Sequence, residues 1–138
     1  MMKKPWTWKN VEIAPNLSEK LQQEFEVSFF QGALEQDPEN VEVLVTLGDV
    51  YSRLGKTRAG LDIDKRLVRI CPDEPTFHYN LACSYSLLGD LDPALKALEK
   101  AIQLGYQNFE HLKKDSDLDN LRQDGRFHVL LKTHAPQT

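Results

Sequence analysis

The chain repeats itself at an interval of 34 residues. Displaced by that interval, Leu47-Gly48-Asp49-Val50-Tyr51-Ser52-Arg53-Leu54-Gly55 falls on Leu81-Ala82-Cys83-Ser84-Tyr85-Ser86-Leu87-Leu88-Gly89. Farther on, Gly60-Leu61 falls on Ala94-Leu95, Val68 on Ile102 and Ile70 on Leu104. A period of this size marks a supersecondary unit that buries its apolar face only against its neighbours, so the fold must be a stack of such units.

Each copy reads as helix, turn, helix. Asn40 is placed to cap a helix over 41–54, and Gly55 to end it in the left-handed conformation. Thr57 is expected to cap a second helix over 58–71, stopped by Pro72. In the second copy a helix over 75–88 begins near Asp73 and closes at Gly89; Asp92 then caps, Pro93 sits in the first turn, and Gly105 ends the helix. Leu44, Leu47, Tyr51 and Leu54 share one helical face, as do Leu95, Leu98 and Ile102. Gly48 is expected to face Gly60, and Ala82 to face Ala94, because two antiparallel helices approach closely only where side chains are small.

With these residues in place the chain resembles the tetratricopeptide repeat family, whose pattern is W-x2-L-G-x2-Y…A-x3-F…P. Leu47, Gly48 and Tyr51, then Leu81, Ala82 and Tyr85, hold its central positions; Leu44 and His78 stand at the tryptophan place. Asp64 replaces a large apolar residue, which predicts a less buried position, and Tyr106 replaces the terminal proline. The resemblance implies an all-α fold, an α-α superhelix of antiparallel helix pairs. Before the repeats, Asn16 and Glu19 form a candidate capping box for a helix over 17–36, with Leu21, Phe25, Phe29, Ala33 and Leu34 on one side. After them, 106–131 resembles a closing extension seen behind the last repeat of many bacterial members. Helices are expected over 109–114 and 125–133, with a turn around 118–121. Phe109, Leu112, Leu118, Leu121, Phe127, Leu130 and Leu131 are the candidate lid over Leu95, Leu98 and Ile102. Left wet, those three would forfeit roughly 1.5–3 kcal/mol each.

The division that follows is an extended N-terminal segment (1–16), the helix of a decayed half-repeat (17–40), repeats at 41–74 and 75–108, and capping helices (109–138), all one domain. Composition agrees: 138 residues, 41% of them hydrophobic and 28% charged, suffice for one globular core. A formal charge of −4 disfavours nucleic acid as a partner, and no apolar run approaches the roughly 20 residues of a membrane helix. Met1-Met2-Lys3-Lys4 is followed by Pro5-Trp6-Thr7-Trp8, not by an apolar leader core. The expected location is the cytoplasm, with Cys71 and Cys83 reduced.

Chemistry is sparse. Asp115, Asp117 and Asp119 have the spacing that opens a calcium loop, but Asn120 replaces the turn glycine and Arg126 the bidentate glutamate. His78, His111, His128 and His134 show no metal spacing. No catalytic or phosphate-binding motif stands out, so neither an enzyme nor a cofactor is expected. Trp6 and Trp8 either cover the first helix or anchor a partner.

In the family, the first helix of each pair lines the inside of the curve. The resemblance therefore places Glu42, Val45, Asp49 and Arg53, then Thr76, Tyr79, Asn80, Cys83 and Leu87, along a peptide-binding groove. Asn80 matches an asparagine that members use to hold a peptide backbone, although its amide could equally bond a neighbouring helix. Val45 and Asp49 stand where some relatives carry a carboxylate clamp, so no such clamp is expected. Glu42 and Asp49 point to a neutral or basic protein segment, with Tyr79 and Leu87 giving apolar contact. The rival readings are a chaperone for a secreted or assembled client and a self-associating structural subunit.

Overall fold

The computed structural model describes residues 15–134, with side chains from Leu17 onward; the expectation for Trp6 and Trp8 lies outside that range. All regular structure among the described residues is helical: α1 (Pro15–Gln36), α2 (Val41–Arg53), α3 (Thr57–Ile70), α4 (Pro75–Leu87), α5 (Leu91–Gln103), α6 (Phe109–Lys114), a 3-10 turn (Ser116–Leu118), α7 (Asp119–Arg122) and α8 (Gly125–His134). From α1 to α5 each helix packs on the next, and α4 and α5 also receive the C-terminal helices. This is the expected superhelix of adjacent pairs.

The repeat is written into the helix ends. Gly55 and Gly89 take φ of 69° and 79°. Beyond each, the amide of Lys56 donates to the Tyr51 carbonyl and that of Asp90 to the Tyr85 carbonyl, both at 2.9 Å. These are paired Schellman closures at equivalent positions, and they aim α3 and α5 back along their partners in the same way. The third closure, Tyr106 on Ala101 at 2.9 Å beyond Gly105, turns the chain into the cap.

Several helix starts differ from expectation. Asn40 does cap α2, its side chain accepting from the Val43 amide at 3.1 Å. Thr57 and Asp92, however, lie inside the first turns of α3 and α5, and the cap residues Lys56 and Asp90 make no side-chain cap bond. Glu74, not Asp73, accepts from the Thr76 amide at the start of α4. Asn16 lies within α1, which opens at Pro15. The glycine pairing is offset too: a Cβ on Gly48 would meet Ile63 Cγ2 at 3.2 Å, whereas one on Gly60 would meet Tyr51 Cβ at 3.9 Å. Both glycines still serve the α2–α3 contact, with Gly48 the tighter notch.

The core divides along the stack. One cluster joins Val27 and Leu34 of α1 to Leu44, Leu47 and Val50 of α2 and Ile63 and Leu67 of α3. The other joins Leu61 to α4, α5 and the cap, where Leu112, Leu118, Leu121 and Phe127 are buried. The expected lid therefore closes over Leu95, Leu98 and Ile102. Residues 118–121, expected as a turn, are instead helical, split between the 3-10 turn and α7. The α1 face is also redistributed. Val27 and Leu34 are buried, while Leu21, Phe25 and Phe29 are exposed.

Candidate functional site: an acidic groove closed by the cap

A groove of about 510 Å³ runs between α2, α3 and α4 and ends against the loop joining α6 to the 3-10 turn. Val45, Asp49 and Ser52 line it from α2, Asp64 and Leu67 from α3, and Phe77, Asn80, Ser84 and Leu87 from α4. His111, Asp115 and Asp117 complete it from the cap. Of the residues the sequence assigned to the groove, the structure brings together Val45, Asp49, Tyr79, Asn80, Cys83 and Leu87. Glu42 and Thr76 are exposed outside it. Arg53 turns toward α1, its guanidinium 3.5 Å from Glu26 and 3.6 Å from Asp49.

Asp64 corrects the sequence expectation most sharply. It is buried, not solvated, at 8% exposure. The position faces α4, and there Ser84, which replaces the apolar Val50 of the first copy, donates its hydroxyl to Asp64 Oδ2 at 2.6 Å. Burial pushes the carboxyl up to about 6, with the Ser84 bond acting against the shift. Among the described residues no cation forms an ion pair with it.

Tyr79 is spent on the cap more than on the groove surface. At 5% exposure, it donates to Asp115 Oδ2 at 2.6 Å, and its ring lies 4.3 Å from Tyr106 at an interplanar angle of 4°. Tyr106, standing in the proline place, thus supplies a stacking plate. Cys83 Sγ lies 3.8 Å and His111 Nε2 3.1 Å from the same Asp115 oxygen, and Asp115 Oδ1 accepts from the Asp117 amide at 3.0 Å. Burial first, then the neighbouring carboxylates, pushes the Cys83 thiol far up; burial with the Tyr79–Asp115 bond does the same to the Tyr79 phenol. Both shifts favour the protonated form. Cys83, Asp115 and Asp117 bring potential ligand atoms within 4.8 Å of one another. Both Asp115 oxygens are already engaged by Tyr79, Cys83 and the Asp117 amide, so the arrangement anchors the cap. A second anchor lies beside it: Ser86, fully buried, accepts from the Leu121 amide at 3.2 Å, and Asn120 donates to the Ser86 carbonyl at 2.9 Å.

Sequence reasoning missed Asp64, Ser84, Phe77, His111, Asp115 and Asp117 as groove residues. The signal for two of them was the 115–117 acidic spacing, weighed in the sequence only as a calcium loop. For Asp64 it was the departure from the repeat pattern itself.

Antiparallel helix pairs stacked around a concave surface define a helical-repeat protein with the α-α superhelix architecture. Residues 75–108, the second copy, match the family model described as tetratricopeptide repeat, and this segment of the chain is such a repeat. Over 85 residues the chain is 35% identical to a chloroplastic protein of Arabidopsis thaliana, the match covering 59% of this chain and 25% of that one. Over 98 residues it is 31% identical to Superkiller protein 3 of Saccharomyces cerevisiae, covering 71% of this chain and 7% of that one. The chain thus spans a quarter or less of the length of these curated relatives. Tetratricopeptide repeats are in general protein-interaction modules without catalysis of their own. No helix among the described residues is long and apolar enough to cross a membrane.

Proposed function

We propose that this chain is a non-catalytic interaction module that holds a neutral-to-basic segment of a partner protein in the groove between α2, α3 and α4. The observation that carries this reading is the sign of the groove wall. Asp49, Asp64, Asp115 and Asp117 line it against Lys56 and His111. Asp64 is a buried carboxylate with no cation paired to it among the described residues, an arrangement that weakens the fold unless something at the surface repays it. A lysine or arginine of a bound segment supplies that charge. Val45 and Leu87, 43% and 45% exposed on opposite walls, offer the apolar contact that orients the segment, and Asn80 offers its amide to the backbone.

Fluorescence anisotropy with two matched peptide sets, one carrying lysine and one glutamate on the same apolar scaffold, tests this. Lysine peptides are expected to bind, with affinity falling about tenfold in Asp49→Lys and in Asp64→Asn, a loss of ~1.4 kcal/mol. Equal binding of the glutamate set, or unchanged affinity in both variants, overturns the reading.

A further inference from the structure

On the buried side of the groove lies a half-used carboxylate. Asp64, at 8% exposure, lines the groove and spends one oxygen, Oδ2, on the Ser84 hydroxyl at 2.6 Å. Among the described residues its other oxygen, Oδ1, takes no hydrogen bond. Ser84 lines the groove as well. Its hydroxyl proton is committed to Asp64, so its oxygen turns lone pairs, not a proton, to anything that enters. This pair therefore offers two acceptors, one of them anionic, and no donor. At neutral pH the carboxyl, pushed up to about 6, is mostly ionised.

The surroundings suit a long, slender side chain. Gly60, one helical turn before Asp64, lies on the same face of α3 and lines the groove without a side chain. A Cβ there would meet nothing closer than Tyr51 Cβ at 3.9 Å, so that approach is uncrowded. Leu67, on the same helix, and Phe77 of α4 line the groove too, and both belong to the apolar cluster shared by α1, α2 and α3. A side chain extended toward Asp64 is thus offered apolar wall for its stem and charge for its head, the division found in lysine.

Taking the groove as the seat of a basic segment, as proposed above, we infer that Asp64 and Ser84 select lysine over arginine in that segment. An ammonium is a point charge with three donors; it can bond Asp64 Oδ1 and Ser84 Oγ at once while its third donor keeps a water. A guanidinium binds a carboxylate best as a fork, through two parallel bonds that use both oxygens. Because Oδ2 already accepts from Ser84, arginine forms one bond of the pair, and its remaining N–H groups lose water without gaining acceptors. The difference is roughly one charge-assisted hydrogen bond, about tenfold in affinity.

Fluorescence anisotropy at neutral pH measures the selection, with peptides that differ only in carrying lysine, arginine or acetyl-lysine at one central position. The lysine peptide is expected to bind about tenfold more tightly than the arginine peptide, and the acetyl-lysine peptide more weakly than both. Ser84→Ala frees Oδ2 for a fork and removes the second acceptor, so the lysine preference should vanish or invert. Asp64→Asn, which relieves a buried charge, should abolish the preference as well. Equal wild-type affinity for lysine and arginine overturns this inference alone, since the basic-segment reading asks only that both bind better than glutamate peptides. A lysine preference unchanged in either variant also overturns it, because the selection then arises elsewhere. Acetyl-lysine binding as tightly as lysine, or no binding by the lysine and arginine peptides, overturns both. Should Ser84→Ala fail to fold, Asp64→Asn decides alone.

Discussion

Asp64 shows how one residue can depart from a repeat without leaving the core. Its counterpart in the second copy is Leu98, wholly buried. The backbone carries the aspartate into the same kind of place, and only the Ser84 hydroxyl makes that tolerable. Because the carboxyl titrates near 6 in the fold against 3.8 in a free chain, the native state holds the proton more tightly than the unfolded one. Its contribution is therefore most favourable below about pH 4, is lost as pH rises through 6, and is flat above that. Two pKa units correspond to about 3 kcal/mol at most. Asp64→Asn is expected to stabilise the chain by about 1–3 kcal/mol at pH 7 and by much less at pH 4. Urea melts of both proteins across that range check it, and a difference independent of pH contradicts it. Gly48 supplies a second test at this scale. Gly48→Val should destabilise by about 1–3 kcal/mol through the contact with Ile63, and Ile63→Ala should recover part of the loss in a double-mutant cycle.

At the scale of elements, the cap holds the stack closed by two independent devices. Leu112, Leu118, Leu121 and Phe127 bury against α4 and α5, and Ser86 and Asp115 tie the cap backbone and side chains to α4. Phe127→Ala should cost about 3–5 kcal/mol. Ser86→Ala, which leaves the buried Leu121 amide unpaired, should cost about 1–3 kcal/mol. Both should raise hydrogen exchange in α7 and α8 before α2 and α3, which belong to the other core cluster. Uniform exchange across both clusters would mean the stack unfolds as one unit. Helix existence and the positive-φ closures were legible in the sequence, because Gly55, Gly89 and Gly105 punctuate apolar runs of helical period. Cap residues were not. Thr57 and Asp92 looked like caps by type, but the Schellman closures fix where α3 and α5 begin, ahead of where those residues would have placed them.

For the whole molecule, the 34-residue period determined the architecture, since a repeated hairpin has few ways to bury its face. The groove was only half legible. Val45, Asp49, Asn80 and Leu87 follow from helical period and the curvature of stacked helix pairs, whereas His111, Asp115 and Asp117 arrive from the cap, outside both copies of the repeat. Tyr79, assigned to the groove by its place in the pattern, lines it and is also held by Asp115 and Tyr106, contacts that no spacing rule encodes. The resulting cleft is an acidic concave surface closed at one end. Amide chemical-shift mapping on adding a lysine-bearing peptide tests whether that cleft is the working surface. The largest changes are predicted at Val45, Asp49, Asn80, Ser84, Leu87 and Asp115; changes confined to α8 or to the outer faces of α3 and α5, with these six unmoved, would contradict it.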